Sequence, residues 1–468
     1  MLEALFRGEL SEAQATRLTE LGPEAARLAW LAANARFAEL RPRELSPSTP
    51  SGMVPVYQKP AAKRHKKKPG AKDGHAGSRR KTPEKIDARI EHRLEVCPCC
   101  GGELQRCKRQ RKRIIEDIPQ DITPVVTEHT IHRDYCPSCQ KHVEPIVPDA
   151  MPNATLGHNV VALSSWFHYG LGITISQVRD ILGSHLHTQV TAGGLVDGWR
   201  RLAEALEPWY QQIACEARDG AVLHADETGW RVNGQTHWLW CFCNHRNCYY
   251  LIDESRGSPA LQKFFTEAFA GTLVSDFWRA YESVVVEDRQ YCIPHLLREL
   301  LKVDEHNHAV EWQSFAKQLR RLIRDGIRLR KRGDFDPKKY ESRIKLIHRR
   351  LCRLADTTYD DPDARRLAQR LSRHRDHLFT FLDRVEVPFD NNHAERQIRP
   401  AVIIRKNSLC NRSNDGAQTQ AVLMSVYRTL KLRKLDATKE ITIALRTLLQ
   451  TGTLPPLPPE AVDGVADG

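Results

Sequence analysis

The apolar positions change rhythm several times along the chain. Leu18, Leu21, Leu28, Leu31, Phe37 and Leu40 recur at helical spacing, and Gly22-Pro23 splits that pattern into two short helices. Residues 42–83 lose the rhythm: Pro42, Pro47, Pro50, Pro55, Pro60, Pro69 and Pro83 sit among Ser, Gly and Lys, a linker that builds no core of its own. Short β-prone stretches with turn residues fill Leu94 to Val147. The texture from Asn159 to Cys215 is helical. Ile175–Leu182 and Thr191–Leu206 read as two helices across a bend, which serves either as a DNA-reading helix-turn-helix or as plain packing. Strands follow at Ala221–Asp226, Thr236–Cys243, Tyr249–Ile252, Gly271–Asp276 and Arg289–Ile293, with a helix over Pro259–Ala270. That order predicts a mixed α/β sheet. Residues 296–385 are helical almost throughout, and the Pro-rich tail Leu454–Gly468, without Lys or Arg, is expected to be disordered. The shifts divide the chain into 1–41, 42–88, 89–148, 149–215, 216–295, 296–387, 388–425 and 426–468, the last a C-terminal helix and tail.

Charge adds a partner. Of 468 residues, 71 are Lys or Arg and 58 Asp or Glu, a net charge of +13 that favours a polyanion, nucleic acid before a membrane surface. Ten Lys/Arg stand against the single Asp73 between Lys59 and Lys81, with Lys66, Lys67 and Lys68 as candidate DNA contacts. From Lys317 to Arg353 fifteen Lys/Arg face four acids, so the helical block reads as a phosphate-tracking surface rather than merely a solvated one. No apolar run approaches the roughly 18 residues of a membrane span, and the N-terminus lacks a signal-peptide pattern. A cytoplasmic, nucleoid-associated protein is expected.

Six of the thirteen cysteines fall between Cys97 and Cys139. Cys97-Pro-Cys-Cys100 and Cys136-Pro-Ser-Cys139 place thiols at i and i+3 in two turns, the pattern of a closed structural Zn²⁺ site with a β hairpin between the knuckles. Cys99 and Cys107 are spare. With no open coordination position, such zinc holds structure.

Two acids, Asp226 and Asp276, each close an apolar strand, where side chains project into the crevice of an open sheet. On neighbouring strands they lie side by side, an arrangement that a divalent cation relieves. Glu227 is the alternative to Asp226. A third acid is expected from Pro388 to Pro400, where Asp390 or Asn391 caps a helix that Pro400 ends. Asn391, Glu395 and Arg399 share one face with Asn392, and that face either lines a site or pairs Glu395 with Arg399. Trp230 and Trp278, beside the acids, are read as core.

His224-Ala-Asp226-Glu-Thr-Gly-Trp230, Leu273-Val-Ser-Asp276-Phe-Trp-Arg-Ala-Tyr281 and Asn391-Asn-His-Ala-Glu395-Arg-Gln-Ile-Arg-Pro400 together resemble the DDE transposases of the insertion sequence sixty-six family. Lys68-Pro-Gly-Ala-Lys-Asp-Gly-His-Ala-Gly77 resembles that family's basic segment, Cys97 to Cys139 its zinc ribbon, and Arg405–Ser408 with Gly416-Ala417 the segment after its catalytic helix. The resemblance implies an α/β multidomain protein: a small zinc ribbon on Cys97, Cys100, Cys136 and Cys139, a helical DNA-binding region, then an RNase H-like mixed-sheet catalytic core with an all-helical insertion. It also implies Asp226, Asp276 and Glu395 as a triad binding Mg²⁺ or Mn²⁺. The insertion accounts for the 119 residues separating Asp276 from Glu395. Asn391, Asn392 or His295 would support the ligands, and Arg396 and Arg399 would contact phosphates. Cys292-Ile-Pro-His295-Leu-Leu-Arg298 matches a family Cys/Ala-His-Arg-Arg pattern only in part. Implied partners are element-end and target DNA, further copies of the chain on DNA, and accessory proteins of the same element. Competing readings are a zinc-ribbon DNA-binding regulator and a structure-specific nuclease without strand transfer.

Overall fold

The computed structural model describes residues 85–104, 112–119, 122–332 and 336–461, with isolated positions between 16 and 83. The helices expected at 12–40, the basic run holding Lys66, Lys67 and Lys68, and Cys107 lie outside the described residues.

After a short pair, β1 (Asp134–Cys136) and β2 (Lys141–Val143), a five-stranded sheet forms the centre: β3 (Val222–Val232), β4 (Gln235–Cys243), β5 (Cys248–Asp253), β6 (Phe269–Ser275) and β7 (Val286–Tyr291), in the order β5-β4-β3-β6-β7. β3, β4 and β5 run antiparallel in sequence, whereas β6 lies parallel to β3 and β7 parallel to β6. β3 is longer than expected, and Asp226 stands within it rather than at its end. The cause is a two-residue hairpin: Asn233 and Gly234 take φ of +48° and +76°, so Val232 pairs directly with Gln235. Asn-Gly supplies both left-handed positions at little cost, and the strand twists on through the turn.

Helices α1 (His158–Ser165), α2 (Ile175–His185), α3 (Ala192–Ala205) and α4 (Glu207–Arg218) precede the sheet. The two helices expected across a bend are α2 and α3. Gly193-Gly194 lies in the first turn of α3, which Thr191 caps, so it does not interrupt the helix. Leu195, Trp199, Leu202 and Ala203 of α3 are buried in the main core. After α5 (Ser258–Phe264) and the last strands comes a helical block: α6 (Ile293–Asp304), α7 (Val310–Lys331), α8 (Pro337–Asp356), α9 (Pro362–Arg373) and α10 (Thr380–Asp383). It packs a second core around Leu296, Trp312, Phe315, Leu319, Leu367 and Phe379, which reaches the sheet at Val274. Buried Glu299 on α6 receives Arg366 and Arg370 of α9, each at 2.6 Å.

Three helices follow: α11 (Asn392–Ser408), α12 (Asn414–Leu432) and α13 (Ala437–Thr451). Pro400 does not end its helix. α11 passes through it to Ser408, because Ile398, Ala401 and Ile404 are buried on both sides of the missing N–H. α12 runs across the boundary expected at 425/426 and is buried on nearly every side. Its Ser425 and Thr429 hydroxyls accept the Tyr250 and Cys248 amides (2.9 and 3.0 Å), so side chains close the edge that β5 would otherwise expose. The tail also departs from expectation. Leu454 to Ala461 is strapped down: Trp209 donates to the Pro455 carbonyl (2.7 Å), Arg433 to that of Pro458 (2.5 Å), and Leu457 is buried. Among the described residues no helix is long and apolar enough to cross a membrane.

Candidate active site

The parallel pairing of β3 with β6 joins Val222 to Thr272, Leu223 to Leu273 and His224 to Val274, and then stops. β3 remains paired to β4 beyond that point, so a crevice opens on its β6 side. Two residues further along each chain stand Asp226 and Asp276, in continuing register across that crevice. Asp276, just past β6, accepts the Trp278 amide at 2.8 Å, and Asp226 accepts the Glu227 amide at 3.0 Å.

Both carboxyls hold their protons more tightly than usual. Burial, followed by the charges of Glu227 and Asp276, pushes Asp226 well above the normal carboxylate range. Asp276 rises to about 7 through burial and Glu227, against the opposing pull of the Trp278 amide, Arg256 and Arg298. The crevice is short of positive charge.

Glu227, the sequence alternative to Asp226, is already satisfied. Its Oε1 receives Nε and Nη2 of Arg256 (3.1 and 2.7 Å) and its Oε2 the Tyr281 hydroxyl (2.6 Å). Arg256 is stacked between Trp238 and Trp278, 4.5 and 4.2 Å from the ring centroids. Trp230 is buried and donates to Asn411 (2.7 Å). Trp230 and Trp278 are thus both engaged in packing contacts within the protein.

The third acid arrives on α11, whose start is stitched to β3. Buried Asn391 donates its Nδ2 to the Ala225 carbonyl (2.8 Å), and its Oδ1 lies 3.0 Å from His224 Nδ1. Its own amide points to Cys292 Sγ at 3.2 Å, just before α6. Farther along, Arg405 donates to Thr228 Oγ1 (2.9 Å), so Arg405–Ser408 forms the last turn of this helix rather than the segment after it. Glu395 stands one turn beyond Asn391, and its charge adds to the upward push on Asp226. Its carboxylate is nevertheless held from the other side. Oε1 accepts Nη2 of Arg298 at 2.9 Å, with His295 Nε2 at 3.8 Å. Among the described residues, the metal-ligand atoms gathered within 4.8 Å of one another belong to Cys292, His295 and Glu395, not to the three acids together. Burial pushes the Cys292 thiol up to about 12, which makes it a poor ligand. Burial and Arg298 bring His295 down to about 4, a neutral ring.

Several expectations change here. Asn391 anchors the helix instead of facing the crevice, while Asn392, Arg396 and Arg399 are exposed. Glu395 pairs with Arg298 and not with Arg399. The Arg298 contact was not anticipated, although His295 and Arg298 at i and i+3 in the first turns of a helix place both on one face. Asp226 and Asp276 set carboxylate oxygens side by side where the sheet opens, the donor chemistry that suits a hard divalent cation, while Glu395 is turned to Arg298.

The cysteine knuckles are formed individually. Gly101, at φ +73°, turns its amide onto the Cys97 carbonyl (2.8 Å). Backbone amides of Cys99 and Cys100 lower the Cys97 thiol, and that of Cys139 lowers Cys136, which favours thiolate ligands. The strands differ from expectation. β1 (Asp134–Cys136) and β2 (Lys141–Val143) flank the second knuckle, and the described residues from 104 to 133 hold no strand. Ile114, Ile115, Ile118, Val125 and Val126 are exposed there, so no apolar face supports a hairpin. Among the described residues the four thiols are not gathered into one group.

Comparison with known proteins bears on both regions. Residues 154–419 match the model of the transposase IS66 family, and residues 95–140 match that of the zinc-finger binding domain of transposase IS66. The uncharacterized protein y4jD of Sinorhizobium fredii is 22% identical over 392 residues, covering 75% of this chain and 74% of its own.

Proposed function

Because the chain belongs to the IS66 transposase family, we propose that it cuts DNA at the ends of an insertion element and joins them to target DNA, using Asp226, Asp276 and Glu395 as a metal-binding triad. The observation that carries this reading is the register of β3 with β6, which brings two proton-retaining aspartates together where the sheet opens. Acids on two adjacent parallel strands and on a helix docked to them also support an RNase H-like core. Two Mg²⁺ or Mn²⁺ ions, when bound, supply charge that activates water or a 3′-hydroxyl and steadies the leaving oxygen. The chain's own part is placement. Asn391 fixes the distance of Glu395 from β3, the Trp278 amide orients Asp276, and Arg256 keeps Glu227 out of the crevice. Arg396 and Arg399, exposed on the helix that bears Glu395, would contact DNA phosphates.

The helical block offers the DNA a track. Lys317, Arg321, Arg324, Arg328 and Lys331 recur at alternating four- and three-residue steps on one face of α7, all exposed and without an ion pair among the described residues. They span about 21 Å of helix, a length over which one DNA strand presents several phosphates. In the zinc-finger domain, Cys97, Cys100, Cys136 and Cys139 are the proposed ligands of a structural Zn²⁺.

The test is incubation with labelled element-end DNA and Mg²⁺ or Mn²⁺, wild type beside Glu395→Gln, followed by joining of a pre-cut 3′-OH end. Cleavage and joining by wild type alone support the reading. Cleavage without joining leaves a nuclease, and DNA binding without either reaction leaves a regulator.

A further inference from the structure

We infer that Arg298 is a positioning residue that acts as the resident counter-ion of Glu395, occupying the carboxylate until a divalent cation displaces it, and that the released guanidinium then turns to the DNA backbone. The inference rests on the triad reading proposed above. Arg298 reaches Glu395 through a single Nη2 contact of 2.9 Å, not the two-pronged grip that guanidinium and carboxylate can form. Its remaining contacts are long: Nε to the Pro294 carbonyl and Nη2 to His295 Nδ1, both 3.4 Å. The side chains of Arg298 and Glu395 are 49% and 36% exposed, so the pair adds little to stability and is easily exchanged. Its position is what matters. Arg298 stands on α6 of the helical block, touches the acid of α11, and bears electrostatically on Asp276 across the crevice. With Glu395 held in this contact, the three acids do not close into one group among the described residues. Once freed, an arginine at the rim is suited to a phosphate.

The experiment measures Mn²⁺ affinity of the full chain without DNA, by the electron paramagnetic resonance signal of free Mn²⁺, so it does not depend on activity. Arg298→Gln should bind Mn²⁺ about two- to fivefold more tightly than wild type, the range set by breaking a half-exposed ion pair. In a Glu395→Gln background the same change should give no gain. Arg298→Lys, which keeps the charge, should stay near wild type. With Ca²⁺ in place of a catalytic ion, Arg298→Gln should weaken binding of duplex DNA carrying the element end. Unchanged or weaker Mn²⁺ binding in Arg298→Gln, or an equal gain in Arg298→Lys, overturns the inference while leaving the triad standing. Mn²⁺ binding that survives Asp226→Asn removes the triad, and the inference with it.

Discussion

Asp276 contributes a pH dependence to the stability of the metal-free protein. Its carboxyl titrates near 7 in the fold against about 4 in an unfolded chain, so the native state holds the extra proton between those values. Stability contributed by this group is therefore present at low pH and lost as pH rises toward 7. In EDTA, Asp276→Asn should raise the melting temperature at pH 8 and change it little at pH 5; an equal effect at both would show that the carboxyl is not held protonated. Mg²⁺ should restore wild-type stability above pH 7, where the carboxylate is free to bind it. On the proposed mechanism, Asp226→Asn should cut Mg²⁺-dependent cleavage by about 10³-fold or more while DNA retention in a gel is kept, because the acid would stabilise charge at the reacting centre and would not grip the backbone.

At the scale of elements, the site depends on how α11 meets β3. Asn391→Ala removes a buried amide that satisfies the Ala225 carbonyl, which should cost about 1–3 kcal/mol in urea unfolding. Cleavage should fall further than that loss explains, since Glu395 loses its fixed distance. Glu299→Ala leaves two arginines facing a vacated site between α6 and α9 and should cost about 3–5 kcal/mol. The strands and the helical block were legible because apolar alternation and helical spacing persist over whole elements. The extent of β3 was missed, although Asn233-Gly234 carries the turn signal in two residues. Pro400 misled for a physical reason: a proline ends a helix in water, but not one whose flanking residues are buried on both sides of it. The Asn391–Ala225 and Arg298–Glu395 contacts join residues 166 and 97 positions apart, and no local pattern encodes such a meeting.

On the proposed function, charge and metal divide the labour across the whole molecule. The α7 stripe belongs to the helical block, so its loss should weaken DNA binding without disturbing the crevice. Replacing Arg321, Arg324 and Arg328 by Gln should reduce the slope of log affinity against log salt by about 2–3, with metal binding unchanged. Zinc removal should act elsewhere again. The apolar residues of the ribbon lie uncovered, so a chelator should unfold residues 95–140 while the sheet stays protected from hydrogen exchange. The central claim is that three acids, on two strands and one helix, meet around shared divalent ions. Anomalous diffraction from Mn²⁺-soaked crystals tests it most directly. A peak bounded by Asp226, Asp276 and Glu395 is expected, with Glu395 released from Arg298; Mn²⁺ bound elsewhere, with Glu395 still paired to Arg298, would rule the triad out.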